Sequence, residues 1–172
     1  MDTQKHNIKT NSLEELSNKI LNNRTYKELM QRMSVMEKDR IFCLHGIEHS
    51  LDVARIGYIL ILENGLDISK ELIYAAALLH DIGRVYEYEG ESSHHIKGAV
   101  VAEQILSDCD CDKQDIALIC DAIRCHKLVE KEETDLRYIL YRADKLSRNC
   151  YACAAYDKCY WDADMKNNSI TI

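Results

Sequence analysis

The run Leu72-Ile73-Tyr74-Ala75-Ala76-Ala77-Leu78-Leu79 is apolar on nearly every helical face, and it leads directly into His80-Asp81. A helix with no polar side has to be surrounded, so this segment is predicted to be the central helix of a bundle. The imidazole and the carboxylate then fall where a buried helix would otherwise be wholly apolar. Taking either out of water costs kilocalories unless a partner satisfies it. Metal ligation would remove that cost.

The rest of the composition agrees with a helical protein. Among 172 residues there is no proline and only 6 glycines, too little turn chemistry for a many-stranded sheet. An all-α fold follows, and the length suits one domain around one core. No apolar run approaches the roughly 18 residues of a membrane span, and MDTQKHNIKTNSLEELSNK lacks the apolar segment of a secretory signal. A cytoplasmic location without membrane contact is the expectation. The formal charge of −7 argues against binding a nucleic-acid duplex, which needs clustered Lys and Arg. A small anionic substrate stays compatible if metals and a few local cations offset the field.

Periodicity and caps predict the helices. Ser12 and Glu15 have capping-box spacing, and a second peripheral helix covers Tyr26 to Lys38. From Glu48 to Glu63, His49, Val53, Ile56 and Leu60 share a face, and Asn64-Gly65 ends the helix. Ser69 caps the central helix, and Gly83 to Ser93 reads as a polar, acidic loop. His95 then shares a face with Ala99, Ala102 and Leu106, while His94 lies beside it with Gly98, Val101 and Ile105. Gly98 and Ala99 would permit close approach of a neighbour. Asp112 caps a helix carrying Ile116, Ile119, Ile123 and His126 on one side. The last core helix, Thr134 to Arg148, aligns Leu136, Leu140, Ala143 and Asp144, a carboxylate on an apolar stripe whose burial calls for a cation. The chain divides into peripheral N-terminal helices (1–40), a metal-binding core (41–149) and a Cys-rich extension (150–172).

His49, His80, Asp81 and Asp144 thus come from three separate helices, near helix ends and on inward faces. A mixed nitrogen and oxygen set suits manganese, iron, cobalt, nickel or magnesium better than a thiolate set would. The order of these residues, carried by HSLDVARIG, AALLHDIGR and YRADKLSR, resembles the HD-domain superfamily of metal-dependent phosphohydrolases. The resemblance covers His45 to Arg148 and implies a helical bundle of the HD-domain type with His49, His80, Asp81 and Asp144 as ligands. It also implies extra histidines for a second metal. Those are His95, in HHIKGAVVAEQIL, and His126, in AIRCHK, with His94 as a substitute for His95.

What the resemblance implies chemically is hydrolysis of a phosphate ester by metal-activated water, with one or two divalent ions and Asp81 between them. Arg84 and Lys145, which adjoin the ligand motifs, are the candidates to offset developing charge. His45, Lys127 and Arg148 are the candidates for substrate binding. The expected partner is a small phosphorylated molecule such as a nucleotide, and a homo-oligomer is compatible with the sequence. Competing readings are a non-catalytic metal- or nucleotide-binding module and a di-iron oxygenase.

The eight cysteines, without an export signal, read as reduced thiols. Cys150, Cys153 and Cys159 supply three of the four ligands that a closed zinc or iron–sulfur site needs, leaving Cys125, Cys120 or Cys43 for the fourth. On one continuous helix Cys159 would not face the other two. The expectation is therefore a helix packing small thiols, Tyr151, Tyr156 and Trp161 onto the bundle.

Overall fold

The computed structural model describes residues 11–126 and 134–171, with side chains from Leu16 onward. The Ser12 and Glu15 side chains and all of Lys127 lie outside the described residues. The architecture is all-α: α1 (Asn11–Asn22), α2 (Arg24–Met36), α3 (Ile47–Glu63), α4 (Lys70–Leu79), α5 (Arg84–Tyr88), α6 (His94–Asp108), α7 (Lys113–Cys125) and α8 (Leu136–Leu146). Among the described residues no helix is long and apolar enough to cross a membrane.

The central position of α4 follows from its sequence. Ile73 and the five residues Ala75 to Leu79 are buried, and α1, α3, α7 and α8 all pack against this helix. Each large side chain so enclosed contributes about 1.5–3 kcal/mol. The alanines let the neighbours approach closely. Ser69 starts α4 by accepting a hydrogen bond from the Leu72 amide (3.2 Å), and Gly65, at φ +62°, turns the chain out of α3. Asp112 and Asp135 cap α7 and α8 in the same way, each accepting from a backbone amide.

Two predicted segments differ. The acidic stretch after Gly83 is not all loop, because Arg84–Tyr88 forms the short helix α5. Val85, fully buried, pins that turn to the core, while Gly90 at φ +80° ends it. After α8 there is no continuous helix. The chain makes three single 3-10 turns, at Cys150–Ala152, Tyr156–Lys158 and Ala163–Met165. Their backbone opens into extended geometry at Cys153 and Cys159, and of residues 150–171 only Cys150 and Ala155 are buried.

Close packing of Gly83 against Gly98 seats α6 on the end of α4. A Cβ built on Gly83 would stand 2.1 Å from the His94 carbonyl oxygen and 2.5 Å from the Gly98 amide nitrogen. Backbone cannot yield to that. A Cβ on Gly98 would meet nothing nearer than 3.4 Å, an ordinary contact. Gly83→Ala is therefore expected to lower stability by about 1–3 kcal/mol, several degrees in melting temperature. Gly98→Ala should hold or raise it, alanine being about 1 kcal/mol better in a helix. Equal melting temperatures for the two variants would contradict this reading of the contact.

Candidate metal centre

Six polar side chains converge at one end of the bundle, and each stands at or beside a helix terminus. His49 lies in the first turn of α3, His80 ends α4 with Asp81 next to it, His94 begins α6, His126 ends α7, and Asp144 lies in the last turn of α8. Helix ends bring side chains to a common point without interrupting the helices that hold them. All six are buried.

They form two donor sets that share Asp81. In the first, single atoms of His49, His80, Asp81 and Asp144 all lie within 4.8 Å of one another, and in the second so do those of Asp81, His94 and His126. His49 Nε2 is 3.3 Å from His80 Nε2 and 3.3 Å from Asp144 Oδ1. His94 Nε2 is 3.4 Å from His126 Nε2 and 3.6 Å from Asp81 Oδ1.

The tautomer of each imidazole is set from behind. His80 Nδ1 donates to the Ala77 carbonyl (2.8 Å), His126 Nδ1 to the Ile123 carbonyl (2.6 Å) and His94 Nδ1 to Glu87 Oε2 (2.7 Å). His49 Nδ1 donates to Ser147 Oγ (3.2 Å), whose own proton goes to the Asp144 carbonyl oxygen (2.8 Å). The Nε2 lone pairs are thereby aimed at the shared space. Back-side hydrogen bonding of this kind orients metal-binding histidines and raises their basicity.

The electrostatics also favour a cation. Burial alone would raise the Asp81 carboxyl, but His80 and Arg84 hold it well below the usual carboxylate range. Asp144 is likewise held low despite its burial, by His49, Arg148 and His80. His80 is raised despite burial, because it faces Asp81. Burial and the neighbouring His80 push His126 down to about 3, so its ring is neutral at physiological pH. Asp81 Oδ2 is buried and accepts no hydrogen bond, although the Nε2 atoms of His80, His49 and His45 lie 3.0, 3.6 and 4.0 Å away. The residues therefore fit a divalent metal: imidazole nitrogens, ionised carboxylate oxygens and one carboxylate oxygen still without a bond.

Compared with the sequence expectation, the first four residues meet as a set. The second imidazole beside Asp81 and His126 is His94, not His95. His94 is fully buried, whereas the ring of half-buried His95 is centred 6.3 Å from that of His126. One residue's rotation on α6 decides this, and the packing of Gly98 on Gly83 sets that rotation. Arg84 Nε binds Asp81 Oδ1 (2.8 Å), and Lys145 Nζ binds Asp144 Oδ2 (3.0 Å). Arg148, expected among substrate-binding residues, is buried and places Nη2 2.8 Å from Asp144 Oδ1 and 3.1 Å from His49 Nε2.

Sequence reasoning missed Glu37, Glu87 and Ser147, which orient His45, His94 and His49. Glu37 is buried, accepts from the His45 amide (2.8 Å) and from Tyr88 Oη (2.5 Å), and pairs with His45 Nδ1. Despite burial these bonds hold its carboxyl at about 2. At the end of an amphipathic helix it carried no sequence signal that separates it from a surface glutamate.

The HD domain family model matches residues 46–149, a span that holds all six of these side chains. This chain belongs to the HD domain family. A protein of Clostridium beijerinckii described only as uncharacterized is 39% identical over 153 residues, covering 89% of this chain and 96% of that one. Ribonuclease Y of Mycoplasma mycoides subsp. mycoides is 31% identical over 101 residues, 59% of this chain but only 18% of that protein. The fold is also that of a predicted HD superfamily hydrolase from an uncultured Thermotogales bacterium, with a TM-score of 0.59 and 23% identity over 81% of this chain and 80% of that one.

Metal analysis separates the two donor sets. His94→Ala is expected to lower bound divalent metal by about half relative to wild type, Asp81→Ala to abolish it, and His95→Ala to leave it unchanged. Retention of full metal by the His94 variant would contradict the second set.

Proposed function

We propose that this HD domain protein hydrolyses a phosphate ester of a small molecule, with a nucleotide as the substrate class, in the cytoplasm. The observation that carries the reading is the shared position of Asp81 between two donor sets, whose members His49, His126 and Asp144 line one large cavity. In this scheme His49, His80, Asp81 and Asp144 would hold one divalent ion, and Asp81, His94 and His126 would hold a second. Such ions supply a water nucleophile at neutral pH and Lewis-acid charge for phosphoryl oxygens.

The cavity encloses about 650 Å³, within the range of small-molecule sites. His49 and Asp144 reach it, Lys145 and Arg148 add positive charge beside them, and Phe42 and Trp161 line its walls. Lys145, 38% exposed while bound to Asp144, is suited to meeting an incoming phosphate. Arg148 draws charge toward the same point from its buried position. The aromatic walls offer a face for a base, since stacking contributes about 1–3 kcal/mol per base.

Proton handling falls to His45. Its Nδ1 is tied to Glu37, and its Nε2 lies 4.0 Å from Asp81 Oδ2 at the cavity wall. Burial lowers its pKa, so it presents a neutral, basic nitrogen to the place where water would lose a proton. Arg84 positions the Asp81 carboxylate through their 2.8 Å bond. Similarity to a protein named as a ribonuclease supports phosphoester chemistry, while the net charge of −7 directs this reading toward a small substrate.

A panel of nucleoside phosphates and simple alkyl phosphates, assayed with added manganese, tests the proposal. Hydrolysis of nucleotides in preference to alkyl phosphates is expected, abolished in His80→Ala and kept in Cys120→Ala. His45→Ala should lower kcat by about 10²-fold or more, and Arg148→Ala should lower kcat/KM. A metal-loaded protein inert to the whole panel would overturn the assignment.

A further inference from the structure

The tail after α8 does not pack as a hydrophobic element. From Cys150 to Thr171 only Cys150 and Ala155 are buried. Ordering a residue's backbone costs about 1–2 kcal/mol, and two small side chains offset little of that. Asn167 helps by donating Nδ2 to the carbonyls of Lys145 (2.7 Å) and Arg148 (2.8 Å) at the end of α8. That bond fixes the far end of the segment, not the loops between.

The cysteines stand where a cross-link is missing. Cys150, Cys153 and Cys159 line the same cavity, and so does Cys43, from the loop before α3. The first two 3-10 turns each end on a cysteine in extended backbone, Cys153 at φ −81°, ψ 120° and Cys159 at φ −73°, ψ 134°. Breaking the helix removes the geometric objection to three-way convergence. Arg40, Arg148 and Lys166 line the cavity too, and their positive charge suits thiolates. Three of the other four cysteines differ: burial raises the Cys109 thiol and pushes Cys111 and Cys120 up to about 11, so these three remain protonated packing groups.

Spacing argues against a single zinc ion. Four thiolates around one zinc ion at about 2.3 Å stand about 3.8 Å apart. Among the described residues no three of these sulfur atoms lie within 4.8 Å of one another. An iron–sulfur cluster spreads its thiolates more widely, because each binds a different iron corner, and four cysteines are its usual complement. We propose that Cys43, Cys150, Cys153 and Cys159 ligate an iron–sulfur cluster at the cavity mouth, which pins the tail and sets the wall formed by Trp161. The cluster is structural here, and no electron transfer is invoked.

Acid-labile sulfide tests this independently of hydrolysis, since the histidine and aspartate centre contains none. Full-length protein is purified anaerobically, with a second portion reconstituted with ferrous iron and sulfide. Sulfide and iron are expected in wild type and in Asp81→Ala. They should be lost in Cys153→Ser and in Cys43→Ser, and kept in Cys120→Ser, with far-ultraviolet circular dichroism unchanged throughout. Cys43 lies outside the tail, so its variant reports ligation even if tail substitutions misfold. Absence of sulfide from both wild-type preparations, or one thiolate-bound zinc per chain without sulfide, would overturn the proposal.

Discussion

Asp81 is a carboxylate held ionised in an apolar interior, and the arrangement of five helix ends around it answers that constraint. Its charge is faced by His80, by Arg84 and by imidazoles arriving from α3 and α6. Each of those groups is in turn oriented by a carbonyl, a carboxylate or a hydroxyl behind it. The site is thus preorganised from the outside inward, and the buried α4 core that carries His80-Asp81 is the part of the molecule around which the rest is packed. A carboxylate oxygen left without a hydrogen bond at that point is energetically reasonable only where another positive partner belongs.

The same logic links packing to chemistry. Gly83 follows the His-Asp pair by two residues and admits the start of α6 to backbone contact, which brings His94 rather than His95 to Asp81. Glycine at that position is therefore part of how the second donor set is assembled. Arg148 illustrates the converse: a cation that a sequence reading assigns to substrate is buried against Asp144 and His49. It neutralises the ligand set and reaches the cavity from one position.

Much of this was legible in the chain. The featureless apolar run of α4, the Ser69 and Asp112 caps and the Gly65 turn each expressed a local rule that the fold obeys. The grouping of His49, His80, Asp81 and Asp144 was legible because each interrupts an inward stripe. His94 against His95 was not, since adjacent residues on a helix differ by about 100° and both neighbouring faces are apolar. Nor were Glu37, Glu87 and Ser147, whose partners are fixed only once separate helices meet. The tail was misread as a helix because spacing alone cannot tell a weak helical segment from a chain of 3-10 turns.

Diffraction from crystals grown with manganese, recorded at the manganese absorption edge, tests the central claim most directly. The account predicts two anomalous peaks flanking Asp81, one among His49, His80 and Asp144 and one between His94 and His126. An interior without manganese, or a peak displaced from Asp81, would contradict it.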